Sequence, residues 1–287
     1  MKAGNKKTFQ CGRFRLSLAR PLIMGIVNLT PDSFSGDGLT GSVADALSFA
    51  RKQWEAGADI LDLGAESSRP GAMPVSLQEE LDRLLPVLEK MRDWDIPISV
   101  DTYKPEVMQA ALSVGASLIN DINALRAPGA LDAVAASDCG LCLMHMQGAP
   151  RNMQENPTYE DVVAEVRAFL TERVNACRAA GLSDNRLLLD PGFGFGKRLE
   201  HNVTLFRRLP EIAVDNLPIL VGVCRKRMIG DLTGGKEADA RLPGSLAATI
   251  AAAEKMEHHA LIVRVHDVAA TRDALTVWSA LAKREPI

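Results

Sequence analysis

Charged and amide side chains recur at the ends of short apolar runs along this 287-residue chain. Carboxylates accept hydrogen bonds, amides donate and accept them, and arginine and lysine bind anions. The net charge is only −3, so an anionic ligand would have to be attracted by a local cluster of Arg and Lys. The residues and segments at the run ends are Asn28, GAESSRPG (64–71), Asp101, Asn120, Asp121, Met144, His145, DPGFGFGK (190–197), CRKR (224–227), Arg264 and His266.

The runs themselves indicate which elements position these side chains. They are continuously apolar, which is typical of strands covered on both faces, as in parallel sheets. Helical patterns separate them, for example at 76–94 and at 159–181, where Gly181 is a natural C-terminal cap. The eight predicted strands span residues 22–27, 59–63, 96–100, 117–120, 140–144, 186–190, 218–223 and 261–265.

Eight strand–helix units without a flexible linker predict an α/β fold, a (β/α)8 TIM barrel formed by residues 1–287 as one domain. A doubly wound open sheet is the competing architecture. Residues 7–20 precede the first barrel strand and predict a short N-terminal hairpin below the barrel. Barrel enzymes carry their chemistry at the C-terminal ends of the strands, where all the run-end residues should meet.

Composition excludes several classes of protein. No global basic charge would attract nucleic acid or an anionic membrane, and no run of about 18 apolar residues appears. Five cysteines, an odd number, argue against a disulfide framework, and the N-terminus lacks the apolar core of a signal peptide. These features predict a cytoplasmic protein. The pair Cys139 and Cys142 lies in or beside an apolar run and is expected to be buried.

The glycines of DPGFGFGK do not form a phosphate-binding Walker loop. That loop has four residues between its glycines and Ser or Thr after its Lys. Here three residues separate Gly192 from Gly196, and Arg198 follows Lys197. The segment is therefore interpreted as a mobile loop beside the site.

Taken together, the motifs resemble the dihydropteroate synthase family. The resemblance runs from about residue 20 to residue 270, with the motifs in family order. They are MGIVNLTPDSFSGDG (24–38), GAESSRPG (64–71), SVDTYKPEV (99–107), INDI (119–122), LMHMQG (143–148), LLLDPGFGFGK (187–197), VGVCRKRMIG (221–230) and IVRVHDV (262–268).

The resemblance implies a reaction of folate biosynthesis. 6-Hydroxymethyl-7,8-dihydropterin diphosphate would condense with p-aminobenzoate to give 7,8-dihydropteroate and diphosphate. It also implies a homodimer, a Mg²⁺ cofactor associated with Asn28, and mobile loops at 28–40 and 64–75 that complete the p-aminobenzoate site.

Individual residues match family positions. Ser68, Arg69, Arg264 and His266 match the surroundings of the diphosphate, and Asp101, Asn120, Asp190 and Lys226 match the pterin-binding set. Met144 and Phe195 match residues that line the pocket. Asp101, Asp190, Lys226 and Arg264 are the expected catalytic residues. Asp190 suits the donor edge of the pterin, because a carboxylate can accept paired hydrogen bonds.

Cys224 departs from the family pattern, which usually has Ser before Arg-Lys. The matched position lies beside the p-aminobenzoate carboxylate, so the resemblance implies a contact at Cys224. The cationic neighbours Arg225 and Lys226 predict a thiol that ionises readily. Burial away from the ligand is the alternative.

Other interpretations stay open from the sequence. The chain could be a methyltetrahydrofolate-dependent methyl-transfer barrel, although such a domain should lack the Arg69 loop and the RVHD segment. It could also be a non-catalytic relative that binds a ligand or a partner. Asp101 alone could cap the helix that begins near Lys104, and His145, between two methionines, is expected to be structural.

Overall fold

The computed structural model describes residues 8–30, 42–67, 71, 73–149, 151–282, 284 and 286–287. In these residues the strands are β1 Thr8–Cys11, β2 Phe14–Ser17, β3 Leu22–Asn28, β4 Ile60–Gly64, β5 Ile98–Asp101, β6 Leu118–Asp121, β7 Gly140–Met144, β8 Leu187–Asp190, β9 Ile219–Val221 and β10 Leu261–Val265.

The helices lie between and after the barrel strands. They are α1 Val43–Glu55, α2 Leu77–Met91, α3 Pro105–Ser113, α4 Ala130–Ala135, α5 Val162–Ala179, α6 Leu199–Arg207, α7 Arg227–Leu232, α8 Leu242–Lys255 and α9 Val268–Leu281. Short 3-10 turns cover Asp184–Arg186, Leu209–Ile212 and Ala238–Arg241. None of the described helices is long and apolar enough to cross a membrane.

Strands β3 to β10 form a closed barrel in which every pairing is parallel, and β10 pairs with β3 to complete it. The predicted (β/α)8 barrel is confirmed, and the open sheet is excluded because an open sheet would leave β3 and β10 as edges. The predicted strand ends agree with the observed ones to within one or two residues. The strand β9 is shorter than predicted and ends at Val221.

Alternation along each strand divides the core into two parts, because successive side chains point to opposite faces. Residues on the outer face, such as Ile23 and Leu141, pack with the helices. Residues on the inner face, such as Met24 and Cys142, pack with one another inside the barrel. Because both faces of each strand are buried, the strands appear in the sequence as continuous apolar runs.

The N-terminal hairpin closes the lower end of the barrel. β1 and β2 pair antiparallel, and Phe9 and Cys11 of β1 belong to the same buried cluster as the interior residues Leu22 and Leu188. A Cβ on Gly140, the first residue of β7, would lie 2.8 Å from the Phe9 ring. Glycine at that position therefore allows the hairpin to close against the strand. The hairpin itself was predicted from the sequence.

Two local predictions also hold. Helix α5 ends at Ala179, and Gly181 follows with φ +82°, a left-handed conformation that glycine adopts without steric cost. All five cysteines are buried and free, Cys139 and Cys142 among them. Burial raises the pKa of both of these thiols, which leaves them as small apolar side chains.

Candidate functional site

A layer of polar side chains, in which Met144 is the one apolar member, lies above the apolar interior of the barrel. On five strands the interior residue is followed two positions later by a residue of this layer, because side chains of one face recur every second position. The apolar residues are Ile60, Leu118, Cys142, Leu188 and Ile262, and the residues two positions later are Asp62, Asn120, Met144, Asp190 and Arg264. Asp101 is the register partner of Asn120, which places it in the same layer.

Arg264 connects three strands of this layer. Its Nε donates to Asp62 Oδ2 at 2.6 Å, and its Nη2 donates to Asp101 Oδ2 at 2.9 Å. Asn120 Nδ2 lies 3.3 Å from the same oxygen of Asp62. The sequence predicted Arg264, Asp101 and Asn120 in one site, and the structure brings them together.

The electrostatics follow from burial of these charges. Burial raises the pKa of Asp101 to about 7, and the positive charge of Arg264 opposes the shift. For Arg264, burial alone would lower the pKa, but the carboxylates of Asp62 and Asp101 raise it further, so the guanidinium stays charged. Asp101 does not cap α3, since the N-cap residue is Lys104, whose backbone N–H donates to Thr102 Oγ1 at 3.3 Å, and the Asp101 carboxylate pairs with Arg264.

Asp190 and Lys226 form the second charged part of the layer. Asp190 Oδ1 accepts a hydrogen bond from Gly192 N at 2.7 Å, which fixes the carboxylate. Lys226 Nζ donates to Phe193 O at 2.5 Å and lies 4.7 Å from the centre of the Phe195 ring. Burial lowers the pKa of Lys226 to about 8, opposed by Asp190, and burial raises the pKa of Asp190, opposed by Lys226.

Met144 and Phe195 supply an apolar wall beside the charges. Both belong to one cluster with Ile122, Met146 and Met153. Met144 is also the register partner of Asp190, so thioether and carboxylate stand side by side on the inner face. A flat ring entering the barrel would therefore contact both apolar side chains and buried carboxylates.

The segment 190–197 is held more firmly than the predicted mobile loop. Lys197 is buried, and its ammonium group donates to Gly192 O at 2.9 Å and Phe195 O at 3.0 Å and contacts His145 Nδ1 at 2.9 Å. Asn202 Oδ1 accepts from Gly194 N at 2.8 Å. The prediction of a mobile loop did not include this network, because the sequence does not show that the Lys197 side chain points into the loop.

His145 is structural, as expected. It is buried, its ring stands edge-on to Phe169 at 5.0 Å, and its Nδ1 contacts the Lys197 ammonium group. Burial, assisted by the charge of Lys197, lowers the pKa of His145 to about 2. A neutral imidazole that accepts from lysine fits this arrangement.

The basic run 225–227 separates into three environments. Arg225 pairs with Asp267 through Nε at 2.8 Å, Lys226 points to the polar layer, and the Arg227 side chain is 91% exposed. Cys224 is buried, and its sulfur accepts from His266 N at 3.5 Å and lies 3.7 Å from Asp267 Oδ2.

The predicted ready ionisation of Cys224 is wrong. Burial raises the pKa of this thiol, and the nearby Asp267 carboxylate adds to the rise. The cationic neighbour Arg225 does lower this pKa, as expected, but burial outweighs it and the Arg225 charge is paired with Asp267. Cys224 is a neutral thiol next to His266.

The remaining predicted residues lie around the edge of the site. Asn28 ends β3 and is in register with Gly64, which in turn is in register with Asp101, so the three occupy one row. His266 lies two residues beyond Arg264, and its carbonyl accepts from Gln53 Nε2 at 2.8 Å. Ser68, Arg69 and much of both predicted mobile loops lie outside the described residues.

Sequence reasoning missed Asp62 and the ion pairs around Lys104. Asp62 is fully buried in β4, and a carboxylate inside the apolar run DILDL was a signal, since buried charges are rare unless paired. The Lys104 ammonium group bridges Glu66 and Glu80, next to a cleft of about 280 Å³ that also touches Asp101. No sequence pattern pointed to that bridge.

Comparisons with known proteins agree with the geometry. The family described as pterin binding enzyme matches residues 24–266. A dihydropteroate synthase of Neisseria meningitidis serogroup C is 51% identical over 280 residues, which cover 96% of this chain and 98% of that protein.

Two solved structures are similar over the whole fold. The Xanthomonas albilineans dihydropteroate synthase with 4-aminobenzoic acid has a TM-score of 0.90 and 49% identity, covering 98% of this chain and 100% of that one. The Burkholderia cenocepacia dihydropteroate synthase complexed with 7,8-dihydropteroate has a TM-score of 0.88 and 49% identity, covering 96% and 97%. With its closed barrel and buried polar layer, the chain thus belongs to the pterin-binding enzymes and, among them, to the dihydropteroate synthases, which are transferases.

Proposed function

We propose that this protein joins 6-hydroxymethyl-7,8-dihydropterin diphosphate to p-aminobenzoate at the C-terminal end of its barrel, releasing 7,8-dihydropteroate and diphosphate. The observation that carries the proposal is the buried polar layer, in which carboxylates, an amide, a lysine and an arginine converge beside Met144 and Phe195. The relatives solved with 4-aminobenzoic acid and with 7,8-dihydropteroate support the choice of substrates.

The pterin ring would lie among Asp101, Asn120, Asp190 and Lys226. One oxygen of Asp190 is occupied by Gly192 N, which leaves the other to accept from the amidine-like edge of the ring. Burial destabilises the ionised form of Asp190, as its raised pKa shows. The carboxylate has too few hydrogen-bond donors around it in the free protein, and donors on the ligand would compensate the cost of its burial. Pterin binding would therefore be favoured.

Departure of diphosphate leaves positive charge on the methylene carbon of the pterin. The carboxylates of Asp101 and Asp190 are fixed at the site and would stabilise that charge. Arg264 and His266, with Ser68 and Arg69 as family matches, would stabilise the departing anion. The aniline nitrogen of p-aminobenzoate is neutral at pH 7, so its lone pair can attack the carbon without prior deprotonation by a dedicated general base. The new C–N bond replaces the C–O bond to diphosphate, and the proton that the nitrogen then loses passes to water or to the released diphosphate. We expect no covalent intermediate with the enzyme.

The p-aminobenzoate carboxylate would lie beside Cys224. The thiol is neutral, its sulfur accepts from His266 N and its S–H donates to Asp267 Oδ2, so a weak hydrogen bond to the substrate would replace the one to Asp267. The segments 28–40 and 64–75 would close over this substrate and exclude water, which otherwise could capture the electrophilic carbon.

Mg²⁺ is proposed as the cofactor, with Asn28 as its protein ligand. Mg²⁺ is commonly held by few protein oxygens together with substrate phosphates and water. The described residues contain no group of three or more His, Cys, Asp or Glu side chains that could hold a metal ion, so a site of this shared kind fits them better than an all-protein cage. Bound there, Mg²⁺ would supply charge neutralisation of the diphosphate.

A homodimer and a cytoplasmic location complete the proposal. Between α8 and α9 lies an apolar groove of about 410 Å³ lined by Ile250, Trp278 and neighbours, with Val277 58% and Leu281 81% exposed. A second copy of the chain would cover these side chains. Sedimentation equilibrium measures this directly, and a monomer at micromolar concentration would contradict the dimer. Five free cysteines fit a reducing compartment.

The decisive experiment is an assay of diphosphate release with both substrates and Mg²⁺, with each component omitted in turn. We expect release that depends on p-aminobenzoate and formation of 7,8-dihydropteroate in equal amount. Pterin binding without turnover would instead indicate a non-catalytic relative. Transfer of a methyl group from methyltetrahydrofolate would indicate the other kind of pterin-binding barrel.

A further inference from the structure

Asp62 is a fully buried carboxylate for which the proposed reaction has no direct use. Its side chain is 0% exposed, and its Oδ2 accepts from Arg264 Nε at 2.6 Å and lies 3.3 Å from Asn120 Nδ2. A carboxylate buried this deeply is retained only if it is well paired. Because Asp62 is fully buried on the inner face of β4, it acts on the site through its two neighbours.

Arg264 makes its two ion pairs through different nitrogens. Nε pairs with Asp62, whose side chain is 0% exposed, and Nη2 pairs with Asp101, whose side chain is 13% exposed. An incoming anion can therefore compete with Asp101 for the Nη groups, whereas the fully buried contact between Nε and Asp62 is closed to it. The two ion pairs thus differ in accessibility: one can be exchanged for a ligand and the other cannot.

We propose that Asp62 is a positioning residue that anchors the Arg264 guanidinium through Nε, so that the Nη groups can exchange Asp101 for the diphosphate of the substrate. This inference rests on the proposed role of Arg264 in binding diphosphate. The exchange would also free Asp101 when the diphosphate binds, so that its carboxylate becomes available to the pterin in the same event.

The test compares two ligands, 6-hydroxymethylpterin with and without its diphosphate, in the presence of Mg²⁺. The variant Asp62→Asn keeps the shape and one acceptor oxygen but removes the charge. We expect its Kd for the diphosphate to rise about 10- to 100-fold, since hydrogen bonds between charged groups contribute on this scale, and its Kd for the ligand without diphosphate to change less than about 3-fold. The KM for p-aminobenzoate should not change.

Asp121→Asn is the matched control. Asp121 is also a fully buried carboxylate at a strand end, but it accepts from the backbone of Asn123 and Leu125 and does not contact Arg264. At comparable loss of thermal stability, it should leave the ratio of the two dissociation constants unchanged. Equal loss for both ligands in Asp62→Asn, or no loss for either, would overturn the inference.

Arg264 variants separate this inference from the proposed function. Arg264→Ala should abolish the preference for the diphosphate; if the preference remains, the proposed diphosphate role of Arg264 is wrong. Arg264→Lys keeps a charge but has no Nε donor that could hold Asp62 while the terminal group binds the anion, so it too should lose most of the preference. Full preference in the Lys variant would mean that anchoring by Asp62 is unnecessary, even if Asp62→Asn fails to fold.

Discussion

Exchanging Asp190 for Asn should weaken pterin binding with little effect on the stability of the fold. Asp190 Oδ1 accepts from Gly192 N at 2.7 Å, and in the described part of the chain its other oxygen has no protein donor. Asn keeps the first contact through its own Oδ1. Since burial raises the pKa of Asp190, the ionised carboxylate costs stability at neutral pH, and a neutral amide removes that cost.

The loss in binding can be estimated from the contact that disappears. A hydrogen bond to a charged group contributes about 1.5–3 kcal/mol, and an amide NH₂ facing the donor edge of the ring is repulsive as well. Titration calorimetry with 6-hydroxymethylpterin should therefore show a Kd about 10- to 150-fold higher than that of the wild type. The melting temperature should change by no more than about 3 °C.

Asp121→Asn is the control, and we expect it to lower the stability of the fold without weakening pterin binding. Both oxygens of Asp121 accept backbone N–H groups at 2.7 Å, so an amide leaves one buried N–H without an acceptor. That costs about 1–3 kcal/mol, and each kcal/mol should lower the melting temperature by about 2–4 °C in a domain of this size. Pterin affinity should stay constant, because Asp121 follows Asn120 and points to the other face of β6. An unchanged Kd in Asp190→Asn, or a stability loss equal to that of the control, would refute the reasoning.

Three further changes test other parts of the site. Cys224→Ser should lower the KM for p-aminobenzoate by about 2- to 10-fold, the value of one net hydrogen bond, and an unchanged KM would assign Cys224 to packing. In the wild type, iodoacetamide should react slowly with this thiol, because burial raises its pKa. The pKa of Lys226 is lowered to about 8, so the ammonium group should lose its proton as the pH rises through that value, and kcat/KM for the pterin diphosphate should fall above it. Lys226→Arg should remove this alkaline fall, because arginine stays charged. An identical pH profile in both proteins would exclude Lys226 as its source. Lys197→Met fills the same space but cannot donate to Gly192 O, so hydrogen exchange in the 192–195 segment should accelerate by an order of magnitude or more, and unchanged protection would show that other contacts hold the loop.

Agreement between the predicted and observed strands has a simple cause. Each barrel strand is buried on both faces, so it appears in the sequence as a continuous apolar run that ends where the chain reaches the surface. The polar residue at each end then marks the C-terminal edge of the barrel, which is why Asn28, Asp101, Asn120 and Asp190 were identified before any geometry was known. Family motifs, rather than periodicity, supplied their expected roles.

The predictions that were incomplete or wrong concern interactions between distant segments. Cys224 has cationic neighbours in the sequence, but Asp267 pairs with Arg225 and burial raises the pKa of the thiol. Lys197 follows a glycine-rich segment that suggested mobility, yet its ammonium group lies inside the loop and holds it. In both cases the sequence shows the charge but not the direction in which the side chain points.

The sequence by itself determined the barrel, the hairpin below it and the edge at which the chemistry lies, because these follow from local apolar patterning and from residue type. The tertiary structure alone decided which charges meet. Asp62 and Arg264 are 202 positions apart, and only the closure of β10 onto β3, with β4 as the next strand, brings the guanidinium within 2.6 Å of that carboxylate. Buried ion pairs of this kind depend on register and burial across several strands, and no local pattern records either.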